Sequence, residues 1–160
     1  MAKFKYKMQN VLDIKLKLED AAKMEFGQAT ARVVEEEEIL RAIERRKREY
    51  EAEGVALRKN KLHVMDIKTN NEAVAILKGE VAAQEKQVEL AKREQEKARV
   101  RLQNAMQERK TQEKLYENAF DAFVQEINAQ ESKEVDELTS YTYGKKQTEG
   151  RITTSGTENG

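Results

Sequence analysis

The sequence predicts an all-α fold, a long two-helix antiparallel coiled-coil hairpin followed by a disordered C-terminal tail. Three observations carry that prediction. From about Leu77 to Glu137 the chain has no proline and a single glycine, Gly79, and two interleaved rows recur every seven residues. One row reads Val81, Val88, Gln95, Leu102, Arg109, Tyr116 and Phe123; the other reads Gln84, Ala91, Ala98, Ala105, Gln112 and Ala119. A seven-residue apolar repeat keeps one seam turned towards one partner helix. The second observation is composition: 38% of residues are charged and 38% hydrophobic, with no tryptophan and no cysteine, too little to enclose a thick globular core. The third is length. Within 160 residues there is room for about fifty residues up, a turn, and more than sixty back.

The boundaries that follow are a hairpin over 1–138, with a helix over about 4–53, a turn over about 54–72 and a helix over about 73–138, and then a tail over 139–160. Residues 3–7 alternate Phe4 and Tyr6 with Lys3, Lys5 and Lys7. They read either as the frayed start of the first helix or as a short docking peptide whose rings stay unburied until a partner arrives. From Val11 the apolar spacing is helical: Val11, Ile14, Leu18, Ala22, Phe26, Ala29, Val33, Leu40, Ile43, Tyr50, Leu57. The steps from Ile14 to Phe26 are all fours, which predicts a local shift of the seam before heptads resume at Phe26. The acidic run Glu35–Glu38 precedes the basic run Arg45–Arg48, an order that suits the helix dipole if the helix ends soon afterwards. Gly54 is the expected end or bend, because glycine costs about 1 kcal/mol in a helix interior relative to alanine.

In the turn, Leu62, Met65 or Ile67 is expected to cap the two helix ends, and Thr69, Asn70 and Asn71 to cap the start of the second helix. That second helix, at 1.5 Å per residue, would extend about 90 Å. Its seam alternates large residues with alanine, which lets two backbones approach closely, so the partner is expected within the same chain. After Glu137 the composition turns to glycine, threonine and serine, which bury too little to offset their ordering entropy, so 139–160 reads as disordered.

Composition also bounds function. Thirty basic and thirty acidic residues cancel, with the signs mixed along the helices, which is neither the footprint of a nucleic-acid binder nor a polybasic membrane anchor. The absence of cysteine excludes disulfides and thiolate metal sites and suits a reducing cytoplasm. No apolar run follows the N-terminal lysines as in a signal peptide, and none approaches the ~20 residues of a membrane span, so a soluble protein is expected. Gly54 and Gly79 are solitary, leaving no phosphate-cradling loop; His63 is the single histidine and reads as a surface residue. Carboxylates on solvated faces have nothing to separate their pKa values. The expectation is a protein that is not an enzyme, with no cofactor and no metal.

Three stretches together resemble one family. Phe4-Lys5-Tyr6-Lys7-Met8-Gln9-Asn10-Val11-Leu12-Asp13 is similar to the aromatic-basic start of the flagellar FliJ family. Gln107-Glu108-Arg109-Lys110-Thr111-Gln112-Glu113-Lys114-Leu115 is similar to its Glu-Arg-Lys and Glu-Lys-Leu segment, and Lys133-Glu134-Val135-Asp136-Glu137-Leu138 to its Lys-x-x-Asp-Glu ending. The resemblance covers about residues 4–140. It implies an antiparallel coiled-coil component of the flagellar type III export apparatus, active in flagellum biogenesis and through it in motility and chemotaxis. The implied location is cytoplasmic, peripherally associated with the export apparatus at the inner membrane, without direct membrane insertion. The implied partners are the hexameric flagellar export ATPase and its regulator, the cytoplasmic domain of the export gate, and late-substrate export chaperones, with no nucleic acid.

The resemblance also implies site residues. Gate contacts fall at Ile39, Ile43, Arg46 and Tyr50 on the first helix and Leu77, Val81, Gln84 and Val88 on the second, where Arg46 replaces an expected aromatic and Val88 an expected polar residue. Contacts with the ATPase ring fall at Lys5, Lys7, Gln9, Asp13, Lys133, Asp136 and Glu137. Ile43, Val81 and Val88 are also seam positions, for which helix packing alone is a sufficient reason. The competing readings are a generic structural coiled coil, a chaperone or stalk protein of a non-flagellar secretion system, a coiled coil formed between chains, and an independent rotary-ATPase stalk subunit, which is expected to carry an additional globular part for which 160 residues leave no space.

Overall fold

The computed structural model describes residues 2–59, 61 and 63–154, with side chains as far as 149. It is all-α and contains two long helices packed against each other, α1 over Gln9–Lys59 and α2 over Val64–Thr154. The chain divides into two compact units, Val11–Lys110 and a second made of Met1–Asn10 with Thr111–Gly160.

In the Val11–Lys110 unit the helices run antiparallel, as the cross-helix pairs show. Lys15 meets Glu108, Arg101 meets Glu25, Gln95 meets Thr30, Gln84 meets Glu36 and Asn70 meets Tyr50, so one number rises as the other falls. The α1 seam consists of two unbroken heptad rows, Leu12, Glu19, Phe26, Val33, Leu40, Lys47, Gly54 and Lys15, Ala22, Ala29, Glu36, Ile43, Tyr50, Leu57, every member buried or half-buried. The α2 rows facing them include Asn70, Leu77, Gln84, Ala91 and Ala98, together with Val81 and Val88. The buried apolar residues are small or medium-sized, Ala98 and Leu77 being the most enclosed at 3% and 4% exposure. Alanine at these layers permits the close approach that the alternation in the sequence predicts.

The expected shift of the seam between Ile14 and Phe26 does not occur. Ile14 and Leu18 are 55% and 48% exposed, and the heptad instead continues back through Glu19, Lys15 and Leu12. Ion pairing makes the polar positions acceptable: the Glu19 carboxylate, 4% exposed, is paired with Lys23 at 3.2 Å and with Arg109 from α2. Burial alone would raise the Glu19 pKa, but hydrogen bonds from Lys23 and Arg109, reinforced by their charges, outweigh it and hold the carboxyl below its usual range. Further along, Gln84 Nε2 donates to the Glu36 carbonyl at 3.0 Å and to its carboxylate, which Arg32 also meets at 3.2 Å. Gln95 Nε2 donates to Thr30 Oγ1 at 3.2 Å. Such polar layers fix register, because a slipped pairing leaves each group buried without its partner.

The turn is much tighter than 54–72. α1 continues through Gly54 to Lys59 and α2 begins at Val64, so Gly54 marks a close helix contact rather than an end. Asn70, expected as a cap, lies inside α2 and donates from Nδ2 to the Tyr50 carbonyl at 2.8 Å, across the seam from buried Gly54. Arg58 Nη1 donates to the Gly54 carbonyl and Nη2 to Asn71 Oδ1. Of the expected capping residues, Ile67 is half-buried, Met65 is 70% exposed, and Leu62 lies outside the described residues. Arg58 and Lys59 in the last turn of α1 and Asp66 in the first turn of α2 complement the helix dipoles.

In the second unit, residues 2–6 are not helical, so α1 starts at Gln9 rather than near residue 4. The stretch 139–154, expected as tail, is helical. Hydroxyls of Thr139, Thr142 and Thr148 bond back to the carbonyls of Val135, Leu138 and Gly144, which accommodates threonine within a helix. The part of the tail expectation that falls on 155–160 lies outside the described residues.

Candidate functional site

Two surfaces of the second unit stand out. The first is aromatic. Residues 2–6 are not helical, and Phe4 and Tyr6 both reach Tyr116 while Lys3, Lys5 and Lys7 remain exposed. Phe4 meets Tyr116 and Phe120 edge-on at 5.4 Å each and Phe123 at 5.3 Å; Tyr6 meets Tyr116 edge-on at 5.2 Å. These separations lie in the favourable range for ring pairs. The rings are therefore half-buried, not free as in the docking-peptide reading, and the segment is not a frayed helix. The Tyr6 hydroxyl and Gln112 Oε1 are buried with no hydrogen-bond partner among the described residues.

The second surface is the far part of α2. Every residue from Asn128 to Glu149 is exposed, and the apolar ones are strongly so: Val135 59%, Leu138 66%, Tyr141 72% and Tyr143 69%. The spacing from Phe120 through Val124, Ile127, Val135 and Leu138 places an apolar stripe along one face, offset from the seam residues Tyr116, Ala119 and Phe123. Val135, Leu138 and Tyr143 border a shallow groove with Thr139, Thr142 and Lys146.

The site residues implied by the resemblance are placed as follows. Of the gate set, Ile39 and Arg46 are exposed on α1; Ile43, Tyr50, Val81 and Gln84 are half-buried; Leu77 and Val88 are buried in the seam. Most of this set is thus engaged in holding the two helices together. Of the ring set, Lys5, Lys7, Gln9, Lys133, Asp136 and Glu137 are exposed in the second unit, and Asp13 is exposed on α1 in the first. The ring contacts of residues 2–6, which form a strap on α2, stop at Phe123, and Lys133 lies about 15 Å further along α2. Sequence reasoning missed the strap and the stripe. The alternation Phe4-x-Tyr6 carries the period-two signal of an extended segment, and the offset stripe is visible once the seam rows are removed from the count.

Across residues 4–148 the chain matches the sequence profile described as flagellar FliJ protein. The chain belongs to the FliJ family. It is accordingly a coiled-coil protein associated with flagellar export, and FliJ proteins are non-catalytic components of the cytoplasmic export apparatus. No curated protein and no solved structure shows significant similarity to this FliJ chain. Among its described residues no helix is long and apolar enough to cross a membrane, and no group of three His, Asp or Glu side chains is placed to hold a metal ion.

Proposed function

We propose that this FliJ-family chain acts as the central stalk of the export ATPase, promoting assembly of its hexameric ring, coupling the ring to the cytoplasmic domain of the export gate, and escorting late-substrate chaperones. Family membership supports the setting. The observation that carries the reading is the far part of α2, where Val135, Leu138, Tyr141 and Tyr143 are uncovered along a helix whose seam neighbours have ended. Exposed apolar surface rimmed by charge marks protein contact, and here Lys133, Asp136 and Glu137 supply the rim. A helix face of this kind docks against a ring of like subunits without chemistry of its own, biasing their assembly through contact alone. On α1, Ile39 and Arg46 are the members of the gate set free to meet a partner without opening the seam.

The test is hydrolysis and oligomer size of the purified export ATPase with and without the full chain. The chain is expected to raise the rate and the hexamer fraction, and Leu138→Glu to abolish both effects while leaving the thermal midpoint unchanged. An ATPase indifferent to the native chain would refute the stalk role.

A further inference from the structure

We infer that the face of α2 formed by Gln112, Tyr116, Phe120 and Phe123 is a binding site for extended peptide segments that carry aromatic side chains on alternate residues, filled in cis by Phe4 and Tyr6. The occupant itself shows what the site accepts. Two rings separated by one residue reach the face from a non-helical segment, making all four ring contacts, while Lys5 between them and Lys3 and Lys7 on either side stay exposed. Glu117 and Asp121, each one residue past a ring of the site, are exposed and acidic, so basic residues between the aromatics of a ligand suit it.

The cis occupant is built to be exchanged. Among the described residues, the strap's backbone contributes one bond outside the helices, Gln9 N–H to the Tyr6 carbonyl at 3.2 Å, so side chains rather than a hydrogen-bonded ladder hold it. It also fits imperfectly. Among the described residues nothing pairs with the buried Tyr6 hydroxyl or Gln112 Oε1, and Phe120 stays 43% exposed beneath the strap. A buried polar group without a partner weakens the state that contains it. A segment from a partner protein that brings a donor onto Gln112 and covers Phe120 gains what the strap lacks, and the strap then leaves as a unit with its three lysines. The site lies on a different stretch of α2 from the exposed residues 133–143, and its occupancy does not depend on the stalk reading.

The experiment uses the full chain and a fluorescently labelled peptide of residues 1–10. Anisotropy is expected to show saturable binding to the Phe4→Ala/Tyr6→Ala variant and at least tenfold weaker binding to the native chain, whose site is filled. The single variant Phe4→Ala, which removes three of the four ring contacts, should fall between them and serves if the double variant loses helix by circular dichroism. A peptide with alanine at both ring positions should bind neither. Absence of saturable binding to a helical vacated chain, or equal binding to native and vacated chains, overturns the proposal. So does a native dimer that the double variant fails to form, since the occupant would then be the strap of a second copy.

Discussion

Gly54 lies buried inside α1, where a Cβ would run into Asn70 Oδ1, an atom held in place by the bond from the same amide to Tyr50. Gly27 and Gly79 have open space around the same position. Replacing a helical glycine by alanine normally stabilises by about 1 kcal/mol. Gly27→Ala and Gly79→Ala are therefore expected to raise the thermal midpoint, and Gly54→Ala to lower it despite the better helix propensity. Three shifts of the same sign would mean that Asn70 yields and the contact carries no constraint. Glu19 gives a second prediction at this scale. Its pKa is lower folded than unfolded, so its contribution is fully present above the ordinary glutamate value of about 4.3 and is lost as pH falls through the depressed folded value. The gap in thermal midpoint between the native chain and Glu19→Gln should be widest near neutral pH and close on acidification. A constant gap would show that the pair with Arg109 does not depend on the carboxylate charge.

Within α1 the choice between two leucines separates the observed seam from the shifted one. Leu12 is 8% exposed and Leu18 48%. Leu12→Ala is expected to cost about 2 kcal/mol or more in urea unfolding, and Leu18→Ala within about 0.5 kcal/mol; the reverse order would restore the shifted seam. Much of α2 between Val81 and Phe123 was legible because a heptad needs only residue type and spacing, both present in the chain as written. The α1 seam was misread near its start because Ile14 and Leu18 look like core, while the true seam residues Lys15 and Glu19 are charged. Their suitability depends on Glu108 and Arg109, some ninety residues away. The turn misled for the same reason: Asn70 is a good helix cap in isolation, and only the neighbouring helix offers it the Tyr50 carbonyl. Composition alone makes 139–154 a tail; it registers low burial correctly, since 139–149 are exposed, but not that threonine hydroxyls bond back along a helix. Of the candidate site, the aromatic pattern Phe4-x-Tyr6 was in view, but not the face of α2 that receives it.

For the molecule as a whole, the question is whether α1 finds its seam in its own chain or in another. In the Val11–Lys110 unit the polar layers Glu19–Arg109, Thr30–Gln95, Glu36–Gln84 and Tyr50–Asn70 lie at unequal spacings along the helices, so a register shift by one heptad mismatches them together. The tight connection between Lys59 and Val64 brings the Asn70 layer into register without a second chain. Unfolding is then unimolecular, and the thermal midpoint should be independent of protein concentration. Were two chains required, a hundredfold dilution would weaken the assembly by about 2.7 kcal/mol. With an unfolding entropy of about 2.1 cal/mol/K per residue summed over both chains, that would lower the midpoint by on the order of 4 °C. Circular dichroism melts at concentrations spanning that range should superimpose. A midpoint that climbs with concentration would place the partner helix on another copy and leave the intrachain pairs as one of two alternative pairings.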